Sequence, residues 1–126
     1  DQYETMGLYP NGHVMGMMRK HLAPWIATST DIECLPDGAE VTVAGLVVRR
    51  QRPLGRAVYI TLEDELGHTP LVVWSQVYQR LRLILREQLL VVRGVVSRQE
   101  GTMNIVVQKS RTLQAPKKLP KGKSWN

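Results

Sequence analysis

Four arginines stand within eight positions, at Arg49, Arg50, Arg52 and Arg56, and Tyr59 and Thr61 follow closely. No acid occurs between Glu40 and Glu63, so nothing nearby in sequence neutralises them. A guanidinium can neutralise a phosphate or stack on a base, and a tyrosine ring offers a face to any base, worth roughly 1–3 kcal/mol per base stacked. Arg98 and Gln99 form a second polar pair further on. This chemistry is recognition, not bond making. The one cluster that could hold a metal is Glu63-Asp64-Glu65. Asp64 and Glu65 fall in a turn, where acids are expected to be solvated, and no further ligands gather around them. There is no phosphate-cradling GxxxxGK[ST] loop and no nucleophile elbow, and His13, His21, His68 and Cys34 show no ligand spacing. The chain alone is therefore expected to be non-catalytic, without metal or cofactor.

The elements that would carry these groups follow from periodicity. Residues 1–35 read as a helical arm or linker. Pro10-Asn11-Gly12 breaks the chain with Asn11 as N-cap, and Val14, Met18 and Leu22, with Met15 and Met17 alongside, give one apolar helix face expected to be core. Pro24 stops that helix. Thr28 to Cys34 reads as a short second turn of helix, with Cys34 half buried, and Leu35-Pro36-Asp37-Gly38 is a turn.

Residues 36–115 read as a barrel. Strand 1 covers about Glu40–Gln51 with a bend at Gly45, strand 2 Ala57–Glu63 and strand 3 Thr69–Trp74. A helix over Ser75–Glu87 is N-capped by Ser75. Its stripe is Val77, Tyr78, Leu81, Ile84 and Leu85, with Arg80, Arg82 and Arg86 on a solvated side. Strand 4 covers Gln88–Ser97 with a second bend at Gly94, and strand 5 covers Thr102–Lys109. The order β-β-β-α-β-β specifies a mainly β fold, a five-stranded oligonucleotide/oligosaccharide-binding (OB) barrel with its helix between strands 3 and 4. Such barrels bind across strands 2 and 3, between the loops joining strands 1–2 and strands 4–5. Val58, Ile60 and Leu62 should face inward, leaving Tyr59 and Thr61 on the open face. Trp74 is expected to pack under the following helix. The candidate binding set is Arg49, Arg50, Arg52, Arg56, Tyr59, Thr61, Arg98 and Gln99. The competing reading is that Tyr59 packs on another domain and the arginines only solubilise a loop.

Composition narrows the class. A chain of 126 residues has room for one domain and some appendages. No apolar run approaches the roughly 20 residues of a membrane span, so a membrane partner is not expected. A single cysteine, Cys34, allows no internal disulfide and suits a reducing cytoplasm. The opening Asp1-Gln2-Tyr3-Glu4 lacks an initiator Met and a leader pattern, and reads as the inside of a longer chain. The net charge of +6 lies at the C-terminal end. Six bases and no acid fall between Lys109 and Asn126, and the rest of the chain balances to zero. Residues 116–126 are expected to be a basic, disordered tail that meets phosphates or only solubilises the chain.

Three stretches carry a family resemblance. Gly7 to Met15 (GLYPNGHVM) resembles a "GL…GHPM/L" segment. Leu35-Pro36-Asp37-Gly38 with Val41 to Pro53 (VTVAGLVVRRQRP) resembles "LPDG…VRVAGLVVVRQRP". Tyr59 to Gly67 (YITLEDELG) resembles "F(V/I)TLEDETG", and Leu89 to Glu100 resembles "LLLVEGRVQRE". These belong to the C-terminal region of bacterial C-family DNA polymerases, the alpha subunit of DNA polymerase III, and most specifically to its error-prone branch. Val14 departs from the family's proline, and the Leu54-Gly55-Arg56 loop is short. A weaker resemblance joins the barrel to the anticodon-binding domain of aspartyl-tRNA synthetases, in which an aromatic at the place of Tyr59 stacks on a base.

The resemblance implies a nucleotidyltransferase parent acting in damage-induced mutagenesis, with its active site outside this chain. The partners it implies are single-stranded DNA, the rest of the polymerase chain, and mutagenesis accessory proteins. The alternative it leaves open is a protein-docking module, to be favoured if the methionine face of the arm is exposed.

Overall fold

The fold is taken from a computed structural model that describes residues 11–52, 55–99 and 101–113. The Gly7–Pro10 part of the family resemblance and the tail after Leu113 lie outside the described residues, as do Pro53, Leu54 and Glu100. The elements are helix α1 (Asn11–Met18), a 3-10 turn (Arg19–His21), helix α2 (Ser29–Ile32), β1 (Glu40–Gln51), β2 (Ala57–Glu63), β3 (His68–Trp74), helix α3 (Ser75–Leu85), β4 (Leu89–Gln99) and β5 (Thr102–Thr112). The strands pair in the ring β1-β2-β3-β5-β4, and β4 returns to β1. All pairs are antiparallel except β3 with β5, which is parallel over Leu71↔Ile105 and Val72↔Val106. This is the five-stranded fold, with its helix between β3 and β4, that the sequence specifies.

Two glycines let one sheet curl into the ring. A Cβ on Gly45 would lie 2.9 Å from the Cβ of Leu62, and one on Gly94 only 2.3 Å from the carbonyl oxygen of Val106. Only a residue without a side chain allows strands to cross that closely. The β4–β5 register also shifts between Arg93 and Gly94, where the bend was expected.

Inward residues of all five strands fill the core, including Val43, Ile60, Leu62, Leu71, Val73, Leu90, Val92 and Ile105. A helix closes each end. Ile32 of α2 belongs to this core, and so does Leu85 of α3, with Val77, Tyr78, Leu81 and Ile84 packed against it. Thr28 caps α2 in a full capping box with Asp31. The N-cap of α3 is Trp74, without a side-chain bond, and Ser75, the expected cap, is its first helical residue.

The arm lies against the barrel. Met15 is fully buried with Ile26, Ala44 and Val91, and Met18 is 2% exposed. Ala27 bridges Val43 in parallel. The methionine face is thus spent on the outer wall of β1 and β4. Cys34 is exposed, not half buried.

Asp64 corrects the reading of a solvated turn acid. It is 5% exposed. Its carboxylate accepts from the Ser29 backbone N–H and hydroxyl (both 2.7 Å) and from the Leu66 (2.9 Å) and Gly67 (3.0 Å) N–H groups. Arg19 lies 3.6 Å away and donates to Glu65 at 2.7 and 3.1 Å. A carboxylate loses its water only where donors replace it, and here the arm supplies the donors that the turn alone lacks.

Candidate nucleic-acid interface

Strand parity decides which arginines reach the open face. On β2, Val58, Ile60 and Leu62 are buried, while Tyr59 is 40% exposed and Thr61 half buried. Tyr59 pairs with Val72 of β3 and Gln51 of β1, and Thr61 pairs with Pro70 and Arg49. These rows form the outer face, so Arg49 stands beside Thr61 with its side chain exposed. Arg56 precedes the Ala57↔Trp74 pair and is also exposed.

Arg50 pairs with Ile60, the inward residue, and points the other way. Its guanidinium donates to the carbonyls of Leu85 (3.0 Å), Arg86 (2.9 Å) and Glu87 (2.9 Å), at the C-terminus of α3. Those carbonyls have no partner within the helix, and a cation there also meets the negative end of the helix dipole. Arg52 follows the same parity and lies 5.1 Å over the ring of Tyr78. Arg98 is engaged at the other end of the barrel. It donates to the Ile32 (3.0 Å), Glu33 (2.8 Å) and Leu35 (2.8 Å) carbonyls at the C-terminal end of α2 and just beyond it, and its backbone N–H meets Asp37 at 2.7 Å. Arg50, Arg52 and Arg98, expected in the loops that flank the binding face, thus have their guanidinium groups engaged within the fold, on carbonyls or over a ring, while remaining exposed. Gln99 remains exposed at the end of β4.

Trp74 also departs from its expected place. It is 48% exposed, not packed under α3. The signal was available: Thr69, Leu71 and Val73 face inward, so period two turns Trp74 outward. Trp74 lies opposite Ala57, and Tyr59 opposite Val72, which makes the two aromatics diagonal neighbours on one face. Such neighbours are about 7–8 Å apart, roughly twice the 3.4 Å rise of a stacked strand. Val72, 6% exposed, lies between them as an apolar floor.

The chain matches the sequence profile of a family described as an OB-fold nucleic acid binding domain, over residues 41–113. The chain belongs to that family. The chain is 41% identical over 109 residues to an error-prone DNA polymerase of Anaeromyxobacter dehalogenans strain 2CP-C, covering 83% of this chain and 10% of that protein. It is 36% identical over 120 residues to an error-prone DNA polymerase of Caulobacter vibrioides, covering 91% and 11%. The chain thus spans about a tenth of the length of the curated relatives it matches. These relatives bear out the likeness to error-prone polymerases read from the LPDG and TLEDE stretches. Asparaginyl-tRNA synthetase from Pyrococcus horikoshii, complexed with asparaginyl-adenylate, superposes with a TM-score of 0.60 at 23% identity, over 78% of this chain and 24% of that one. That likeness shows the fold.

Among the described residues no group of three or more His, Cys, Asp or Glu could hold a metal ion. No described helix is long and apolar enough to cross a membrane.

Proposed function

We propose that this OB-fold domain binds single-stranded DNA for a larger error-prone DNA polymerase of the bacterial cytoplasm, and does no chemistry itself. The observation that carries the proposal is the pair of exposed aromatics, Tyr59 and Trp74, set diagonally on the outer β2–β3 face. Each offers a ring to one base without reading its identity. Arg49 and Arg56 flank the rings and meet phosphates, Thr61 lines the same face, and Gln99 stands at the β4–β5 side. A contact indifferent to base identity suits a template that carries damaged bases. The nucleotidyl transfer belongs to the remainder of the parent chain.

Fluorescence anisotropy with a short labelled oligothymidylate tests the proposal. Tyr59→Ala and Trp74→Ala should each cost about 1–3 kcal/mol of binding while leaving the melting curve in place. Unchanged binding in both variants would sink it.

A docking role for mutagenesis accessory proteins draws support from Trp25, 68% exposed, and Leu66, 58% exposed. Arg19 links the carbonyl of Ile26 to Glu65, so these two side chains follow neighbouring backbone. The methionine face of the arm cannot serve that role while Met15 and Met18 are buried.

A further inference from the structure

Arg50 at the end of β1, and Arg52 and Arg56 between β1 and β2, meet α3 at successive points along the helix. The Ser75 N–H donates to the Arg56 carbonyl at 3.0 Å, Arg52 lies over Tyr78, and Arg50 caps Leu85 to Glu87. These three contacts run in the opposite order to the helix. Residues four apart share one side of a helix, so Tyr78, Arg82 and Arg86 form a row. Tyr78 meets Arg52, which puts that row on the flank beside the connection. Arg82 and Arg86 are exposed, and no acid occurs from Ser75 to Arg86. Neither guanidinium makes an ion pair among the described residues. Arg50 and Arg52 are held by carbonyls and a ring, and neither partner cancels a charge. The flank thus keeps a row of like charges, whose field draws an anion of similar length.

We infer that this flank of α3 carries the phosphate backbone of a strand that has left the β2–β3 face. The inference rests on the single-strand reading above. Trp74, the last residue of the face, directly precedes Ser75, so aromatic face and charged row are continuous. That continuity favours nucleic acid over an acidic protein. Eleven helical residues span about 16 Å at 1.5 Å each, room for four or five further nucleotides at 3.4 Å. Leu83, 67% exposed and three residues from both Arg80 and Arg86, can pack against a sugar or base edge beside the charges.

A length series separates this inference from the reading beneath it. Oligothymidylates of about 4, 8 and 12 nucleotides would be titrated against the unaltered protein, Arg82→Gln/Arg86→Gln and Tyr59→Ala/Trp74→Ala. The double glutamine variant should bind the shortest oligonucleotide normally. It should bind the longest about tenfold more weakly, with a salt slope shallower by about 1.4. Both arginines are exposed, and an unchanged circular-dichroism melt establishes that the fold is kept. Equal loss at every length would reveal only a diffuse field, and no loss at any length a solvated helix; either overturns the inference. DNA binding intact at all lengths, with polyglutamate bound by the unaltered protein but not by the variant, would assign the row to an acidic protein instead. If the double alanine variant binds every length normally, the aromatic-face reading fails, whatever the glutamine variant does.

Discussion

Each end of the barrel is closed by a helix, and each helix is fastened at its C-terminus by one arginine. Around these like fastenings the two ends differ. At the α2 end Arg98 holds the carbonyls of Ile32, Glu33 and Leu35, and the charges nearby are paired: Arg19 with Glu65 and Asp64, and Asp64 with four donors from Ser29, Leu66 and Gly67. At the α3 end Arg50 holds Leu85, Arg86 and Glu87, and the neighbouring sequence supplies Arg49, Arg52, Arg56, Arg82 and Arg86 with Glu87 as the one acid among them. Charge at the first end is consumed in holding the arm. At the second it is left outward beside the exposed aromatics. A guanidinium bound to carbonyls keeps its charge but spends part of its donors, as Arg50 and Arg98 spend Nε and Nη2, so counting arginines does not count contacts to a ligand.

The sharpest way to break this comparison is Asp64→Ala. It strips a buried acceptor from four donors and leaves Arg19 facing one acid, and should cost about 3–5 kcal/mol in urea unfolding. DNA affinity of the molecules that remain folded should hold. An unchanged midpoint would mean that the arm is not fastened there.

Next come Arg98→Met and Arg50→Met. Each leaves three helix-end carbonyls without their charged donor and should lower stability by about 1–3 kcal/mol. They should part company in binding. Arg98→Met should leave the salt dependence of DNA affinity untouched, whereas Arg50→Met weakens affinity by a small field effect without changing the slope. A slope change of about 0.7 in either variant would show direct phosphate contact and place the residue in the interface.

The smallest effects on the fold are expected from Arg49→Ala and Arg56→Ala, within about 0.5 kcal/mol. Each should flatten the salt slope by about 0.7 if it meets one phosphate of a single strand. A stability loss as large as that of Arg50→Met would place these arginines with the fastenings.

The strands, their order and the outward placing of Tyr59 were legible because a half-buried strand repeats every two residues. The same rule, carried to the end of β3, places Trp74 outward; the expectation failed by trusting the general habit of tryptophan over the parity of Leu71 and Val73. Arg50 was not legible. Its side depends on a register shift between Val47 and Arg49, which no local pattern reveals. Asp64 and Arg98 were hidden for another reason: their partners lie 35 and 61 to 66 positions away. Long-range satisfaction of a polar group leaves no periodicity to read.

The parallel contact of β3 with β5 bears on motion. It is the shortest seam of the ring, two register pairs against seven for β2 with β3. Local opening starts where few hydrogen bonds resist it. Amide exchange should therefore be fastest along this seam within the sheet, beside the Val72 that floors the aromatic pair. A bound strand lying over Tyr59 and Trp74 would slow exchange there first, so the weakest join of the barrel is also its built-in reporter of occupancy.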